Sequence, residues 1–274
     1  MKVENTQKDY ADVANLVMLV YGVGGVGKTT FATTFPKPLL LDFENGAKYF
    51  KQRGIDVDVV RMQKWFTSED KKELAKLMEN YDTIIFDPIG EMMEKLINSD
   101  EVKGSKYRQS DGGLTMAGWG KVKENARAVL KWARDLDKNV VLVAHVDEKA
   151  DEETLVKRPL IATKISDEIV AMVDIVGYLD IITVEGEEKR ALRVNPADKK
   201  YIAKDRTGAL AAYVKPEYKY IHDQIVESQK AHNKEEKSTK APAKKAATKT
   251  TPKKTATEKA DEVAENNPFN KDNK

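Results

Sequence analysis

The stretch 21-YGVGGVGKTTF-31 constrains the fold of this chain more than any other. Gly22, Gly27, Lys28 and Thr29 meet the spacing G-x-x-x-x-G-K-T of a phosphate-binding loop. Glycines there let several backbone N–H groups converge on phosphate oxygens, at the positive end of the helix that follows. The binding set expected around ATP is Gly22, Val23, Gly24, Gly25, Val26, Gly27, Lys28, Thr29 and Thr30. Lys28 reaches the β- and γ-phosphates and the Thr29 hydroxyl ligates Mg2+. Such a loop requires a buried strand before it and a helix after it. The apolar run 15-NLVMLVY-21 supplies the strand, and 28-KTTFATTF-35 can open a helix until Pro36 stops it.

Three further apolar runs, 38-PLLLDF-43, 81-YDTIIFD-87 and 139-NVVLVAH-145, alternate with helix-like segments. In 121-KVKENARAVLKWARDLDK-138, Val122, Ala126, Val129, Leu130, Ala133 and Leu136 fall at helical spacing and make one apolar stripe. Continuous apolar strands separated by helices imply a mostly parallel sheet covered on both faces. Farther on, 178-YLDIITVEG-186 and 187-EEKRALRVNP-196 read as a hairpin, and 201-YIAKDR-206 as one more strand. The fold expected is α/β, a mostly parallel sheet flanked by helices with an antiparallel extension on one side.

Asp87 closes the run 81-YDTIIFDP-88. A carboxylate at the C-terminal end of a neighbouring parallel strand can hold magnesium through its water shell, the role of a Walker B acid. Asp82 stands at the strand's beginning and is passed over. The strand after the loop helix, 39-LLLDFENGA-47, delivers Asp42 and Glu44 to the same edge, where open α/β sheets bind ligands. ATP hydrolysis needs a group that orients or deprotonates the attacking water. Glu44 is the candidate base, and a solvated loop acid is the other reading of it.

A P-loop followed by a strand ending in D-x-E resembles the RecA-type ATPase core, in which that glutamate is the catalytic base. The run 140-VVLVAH-145 is similar to the RecA strand that ends in a polar γ-phosphate sensor, usually Gln. Here the sensor position holds His145, whose neutral imidazole can make the same hydrogen bonds. The segment 203-AKDRTG-208 resembles the K-x-R-x-G element of RadA and of DnaB-type hexameric helicases, where both cations enter the neighbouring subunit's ATP site. That resemblance implies Lys204 and Arg206 as catalytic cations supplied in trans; a basic surface turn is the plain alternative. The lettering GGVGKTT also occurs in the partition and septum-positioning ATPases, whose K-G-G-V-G-K-T motif places a lysine before the paired glycines. Val23 stands there in this chain and cannot supply that cation.

Taken together, Leu16 to Gly208 resemble the phage-encoded RecA-like nucleotide-binding proteins of the single-strand-annealing recombinase group. The resemblance implies an ATPase that uses ATP and Mg2+, binds single-stranded DNA, assembles as a homo-oligomeric ring or filament, and cooperates with a single-strand-binding protein. Its setting would be phage homologous recombination, strand annealing or repair. A DNA replication or packaging motor or loader, or a slow nucleotide-gated binding switch, are the alternatives. The two segments matching RecA's DNA-facing loops are 101–121 and 147–164. The first offers Lys103, Lys106, Tyr107 and Arg108, cations beside an aromatic able to stack on a base, and the second Lys157 and Arg158. Exposed loop charges without a binding role explain them equally well.

The net charge of +2 hides an asymmetry, because residues 228–274 carry twelve lysines against seven acids, leaving the body at −3. No apolar periodicity survives in 237-KSTKAPAKKAATKTTPKKTATEK-259, a composition that cannot offset the entropy of ordering. The expected organisation is a flexible N-terminus over 1–12, a RecA-like ATPase domain over 13–227 and a disordered basic tail over 228–274. The tail would either solubilise the protein or attract nucleic-acid phosphates, and Phe269 near its end could dock a partner. There is no cysteine, which excludes disulfides and thiolate metal sites. No apolar run approaches the ~20 residues that span a bilayer, and MKVENTQKDY lacks the apolar core of a secretory signal. The expected location is therefore cytoplasmic, that of a bacterial host if the chain is phage-encoded, without membrane partners.

Overall fold

The computed structural model describes residues 15–151, 154–161 and 165–239. The expected flexible N-terminus and residues 240–274 of the expected tail, Phe269 included, lie outside the described residues. The chain opens with β1 (Val17–Gly22), in which all six residues are buried. Val17, Leu19 and Tyr21 enter one hydrophobic core while Met18 and Val20 enter a second on the opposite face. Burial on both faces is why this strand reads as a continuous apolar run rather than an alternating one. Each such side chain stabilises the fold by about 1.5–3 kcal/mol.

The loop helix α1 (Lys28–Ala32) ends four residues short of Pro36, where the sequence sets its limit. Then come β2 (Pro38–Asp42), β3 (Asp58–Arg61), α2 (Ser68–Met78), β4 (Thr83–Asp87) and α3 (Ile89–Ile97). A capping box sets the start of α2, with Thr67 and Asp70 each bonding the other's backbone N–H. The predicted apolar stripe belongs to α4 (Met116–Arg134), where Val122, Ala126, Val129, Leu130 and Ala133 are buried. Thr115 caps this helix by accepting from the Gly118 N–H at 3.0 Å.

Beyond α4 lie β5 (Asn139–Asp151), β6 (Thr154–Pro159), α5 (Ile165–Met172), β7 (Ile175–Val184), β8 (Glu187–Arg193), β9 (Lys204–Asp205), β10 (Tyr213–Val214) and α6 (Tyr218–Thr239). The sheet runs β10-β8-β7-β1-β5-β4-β2-β3, with β6 paired to β5 and β9 to β7. Strands β7, β1, β5, β4, β2 and β3 are mutually parallel; β8, β9 and β10 form the antiparallel extension. The turn of the β7–β8 hairpin is made by Glu185 and Gly186, both at positive φ, as a two-residue hairpin requires. One face of the sheet is covered by α2, α3, α4 and α5, the other by α1 and α6. The α/β fold with its antiparallel side is thus as expected. No described helix is long and apolar enough to cross a membrane.

Two expectations need correction. Segment 147–164 is not a plain loop: β5 outruns the parallel sheet and pairs antiparallel with β6 from Val146↔Pro159 to Asp151↔Thr154. The run 146-VDEKAD-151 has little strand preference of its own, and cross-strand pairing supplies it. Likewise residues 228–239, assigned to the disordered tail, are helical and continue α6. Ile221 and Ile225 anchor that helix in the second core, and the good helix formers after them propagate it.

Candidate active site

Strand β1 delivers Gly22 to the sheet edge beside β7. A Cβ on Gly22 would stand 2.6 Å from the Leu179 carbonyl oxygen, so only glycine fits. The loop then turns through Gly25 and Gly27, both at positive φ. Val23, Gly24 and Gly25 are exposed and Val26 is buried. The ammonium of Lys28 folds back over the loop, donating to the carbonyls of Gly22 at 2.9 Å and Val23 at 2.8 Å. Burial holds Lys28 below the usual lysine range, while the charges of Asp87 and Glu44 pull it back up.

The structure brings Thr29 and Asp87 together as the sequence requires. The Thr29 hydroxyl donates to Asp87 Oδ2 at 2.5 Å. Burial first, and then the nearby charges of Glu44 and Asp42, push the Asp87 carboxyl up to about 6, against the opposing pull of Thr29 and Lys28. A buried carboxylate so short of positive charge, touching a hydroxyl at the mouth of the loop, suits a divalent cation that takes its remaining ligands from phosphate and water.

Strand β4 lies between β2 and β5 in the sheet, so Asp87 has Glu44 on one side and His145 on the other. These two approach each other, His145 Nε2 lying 3.5 Å from Glu44 Oε2. The turn presenting Glu44 is shaped by Asp42, which is buried opposite Asp87 in the ladder. Its carboxylate accepts from the backbone N–H groups of Glu44 at 3.2 Å, Gly46 at 3.1 Å and Ala47 at 3.0 Å. Asp42 therefore holds the turn, a role the sequence left unassigned, although Asn45 at φ 61° follows from the tight ENG turn.

Lys204 and Arg206 do not reach this chain's own loop. Strand β9 pairs with Ile175 and Val176 at the start of β7, the opposite edge of the sheet from Gly22. Lys204 Nζ donates to the carbonyls of Val170, Ala171 and Val173 at 2.7–2.9 Å, closing the C-terminal end of α5. Arg206 pairs with Asp174 at 3.0 Å and donates to the Ala171 carbonyl. Of the loop cations, Arg108 is turned inward and donates to the carbonyls of Ile97, Val102 and Gly112, tying its own loop together. Lys157 donates to the Tyr178 hydroxyl at 3.1 Å. Lys103 pairs with Asp100 at 2.5 Å, and Lys106 sits 5.5 Å over the Tyr107 ring.

Two cations near the loop escaped the sequence reading. Arg53 Nη2 donates to Thr30 Oγ1 at 3.3 Å. Arg190, on β8, lies with its Nε 3.2 Å from the place a Cβ on Gly27 would take. No local signal marks either, since each contact joins elements far apart in the chain.

Residues 14–207 match the family model of an AAA domain. Among solved structures, a KaiC-like protein from the hyperthermophilic archaeon Pyrococcus horikoshii is 16% identical over 66% of this chain and 78% of that one, with a TM-score of 0.37. The flagellar accessory protein FlaH from Methanocaldococcus jannaschii is 10% identical over 73% and 84%, with a TM-score of 0.41. Likenesses this distant carry no functional argument. No curated protein matches the chain. The strand order, with β5 inserted between the P-loop strand and the strand of Asp87, makes the core a RecA-like P-loop fold.

Proposed function

The chain belongs to the AAA domain family, and from that premise we propose that it is an ATPase that binds ATP with Mg2+ between the P-loop and Asp87 and hydrolyses it. The observation that carries this reading is the convergence of Thr29 and Asp87, with Glu44 and His145 meeting on either side of Asp87. Lys28 exchanges the carbonyls of Gly22 and Val23 for phosphate oxygens, a partner swap that leaves its charge satisfied. Bound magnesium supplies neutralisation of charge on the transferring phosphoryl group. Thr29 and Asp87 are the residues that would hold it. Glu44, placed by the Asp42-braced turn, takes the proton of the attacking water, and His145 orients the Glu44 carboxylate and the terminal phosphate.

The test is Glu44→Gln. ATP binding should persist while turnover falls by about 10²-fold or more, in the range of a lost general base. Unchanged turnover in Glu44→Gln would remove Glu44 from the mechanism.

The same reading extends to single-stranded DNA and to phage recombination, strand annealing or repair. Its support is the start of α4, where Met116 is 93% and Trp119 40% exposed and Thr115 just before them donates to the carbonyls of Lys106 and Tyr107, a cation lying 5.5 Å over a ring. Aromatic faces beside cations suit base stacking along a phosphate backbone. Single-stranded DNA should raise ATP turnover, and Trp119→Ala should blunt that rise. Absence of both DNA binding and any DNA effect on hydrolysis sinks this extension and leaves the ATPase.

A further inference from the structure

A groove of about 390 Å3 opens off the P-loop between α1 and the turn joining β10 to α6; Thr30, Phe31, Thr34, Arg190 and Pro216 are among its lining residues. Thr30 and Phe31 on α1, with Gly27 at its N-cap and Thr34 just past its end, line the groove, whereas Thr29 points to Asp87. The terminal-phosphate end of the site is marked by Thr29, Asp87, Glu44 and His145. A triphosphate held by Lys28 therefore leaves the loop with its sugar and base toward the groove.

Lys189, Lys215 and Glu217 also line the groove, Lys215 and Glu217 paired with each other at 3.4 Å and Lys189 with Glu187 at 3.6 Å, so the surface left for a flat face is Phe31, Pro216 and Arg190. Phe31 is buried and, with Pro216, supplies an apolar lining. The Thr34 hydroxyl is already engaged, donating to the Phe31 carbonyl at 2.7 Å and accepting from the Tyr218 N–H at 2.9 Å. Across the mouth lies Arg190, its Nε 3.2 Å and its Cδ 3.3 Å from where a Gly27 Cβ would be. Its side chain is exposed and makes no hydrogen bond or ion pair among the described residues. A guanidinium is planar and weakly hydrated, and stacks on aromatic rings as an ammonium does not.

We propose that the nucleoside end of ATP occupies this groove and that Arg190 covers the base, stacking its guanidinium on the ring. The proposal rests on the Mg-ATP reading above and deepens it.

The experiment measures the dissociation constants of ATP and of inorganic tripolyphosphate, each with Mg2+, for the full-length protein and for Arg190→Ala and Arg190→Lys. Equal unfolding temperatures establish that the exposed substitutions leave the fold intact. Both variants should bind ATP about tenfold more weakly, the scale of a partly desolvated cation–π contact, with tripolyphosphate affinity unchanged. Three outcomes overturn the proposal: equal loss for ATP and tripolyphosphate, full recovery in Arg190→Lys, or no loss in either variant. If the unmodified protein binds neither ligand, the Mg-ATP reading itself fails, and the proposal with it.

Discussion

Gly22→Ala tests how tightly the P-loop strand is locked to β7 at the loop's first residue. The new Cβ would meet the Leu179 carbonyl oxygen at 2.6 Å and Val26 Cγ1 at 3.2 Å. Carbon–oxygen contacts between strands ordinarily sit at about 3.3–3.6 Å, so backbone must part from backbone by roughly 0.7 Å or more. Both strands are central in the sheet and buried, and neither can yield as a side chain would. Overpacking a core costs about 1–3 kcal/mol, and a clash with backbone belongs in the upper half of that range. At about 2–4 °C per kcal/mol for a domain of this size, the melting temperature should fall by roughly 4–12 °C. Circular dichroism of thermal unfolding reads this directly. Gly24→Ala is the control, since nothing lies within 4 Å of its added Cβ, and its effect should stay within about 0.5 kcal/mol. If both variants melt at the same temperature, the close approach of β1 to β7 at Gly22 is wrong.

Burial raises Asp87 to about 6, so the folded protein holds a proton there that the unfolded chain, at a carboxyl value of about 3.9, has released. Its contribution to stability is therefore full below about pH 4 and is lost as pH rises through about 6; Asp87→Asn, measured without magnesium, should raise the melting temperature at pH 8 and remove that part of the pH dependence. Lys204→Ala removes a cation from three carbonyls at the partly exposed end of α5 and should destabilise the fold by about 0.5–1.5 kcal/mol, the net worth of hydrogen bonds that water can partly replace; a chemical denaturation midpoint unchanged from the parent would contradict this. Arg206→Ala should keep its turnover if Arg206 only braces Asp174 and Ala171 of its own chain; lost turnover that returns in part on mixing with Lys28→Ala subunits would restore a role in the neighbour's site.

The readable part of this fold is the part buried on both sides. Strands β1, β2, β4 and the first half of β5 announce themselves because their buried stretches are almost wholly apolar, whereas β3, mostly exposed at the sheet's edge, carries the mixed run DVVR and passes unnoticed. Within the site, Lys28, Thr29, Asp87 and Glu44 were legible because each sits at a fixed offset from a strand end or a glycine. Asp42 was visible but not its task, since three backbone N–H groups folding onto one carboxylate leave no mark in residue spacing. Lys204 looked like a cation for export because its motif resembles one; the carbonyls it meets belong to a helix end some thirty residues earlier. Arg190 was illegible for the same reason, its meaning lying wholly in a partner from the other end of the domain.

Strand β5 belongs to two bodies at once. Up to Leu142 it is pinned between β1 and β4, through His145 it still pairs with β1, and from Val146 onward it is one rail of the ribbon with β6. The ribbon is tied at its middle, where Lys157, facing Glu148, bonds backbone to backbone with Lys200 and Ile202 and its carbonyl accepts from the Tyr21 hydroxyl at 3.1 Å. At about 3.4 Å per residue the rail from Val146 to Asp151 reaches roughly 20 Å past the sheet. Past that tie, the pairs from Lys149↔Val156 to Asp151↔Thr154 form the tip of the ribbon, and its root and middle belong to the body of the fold.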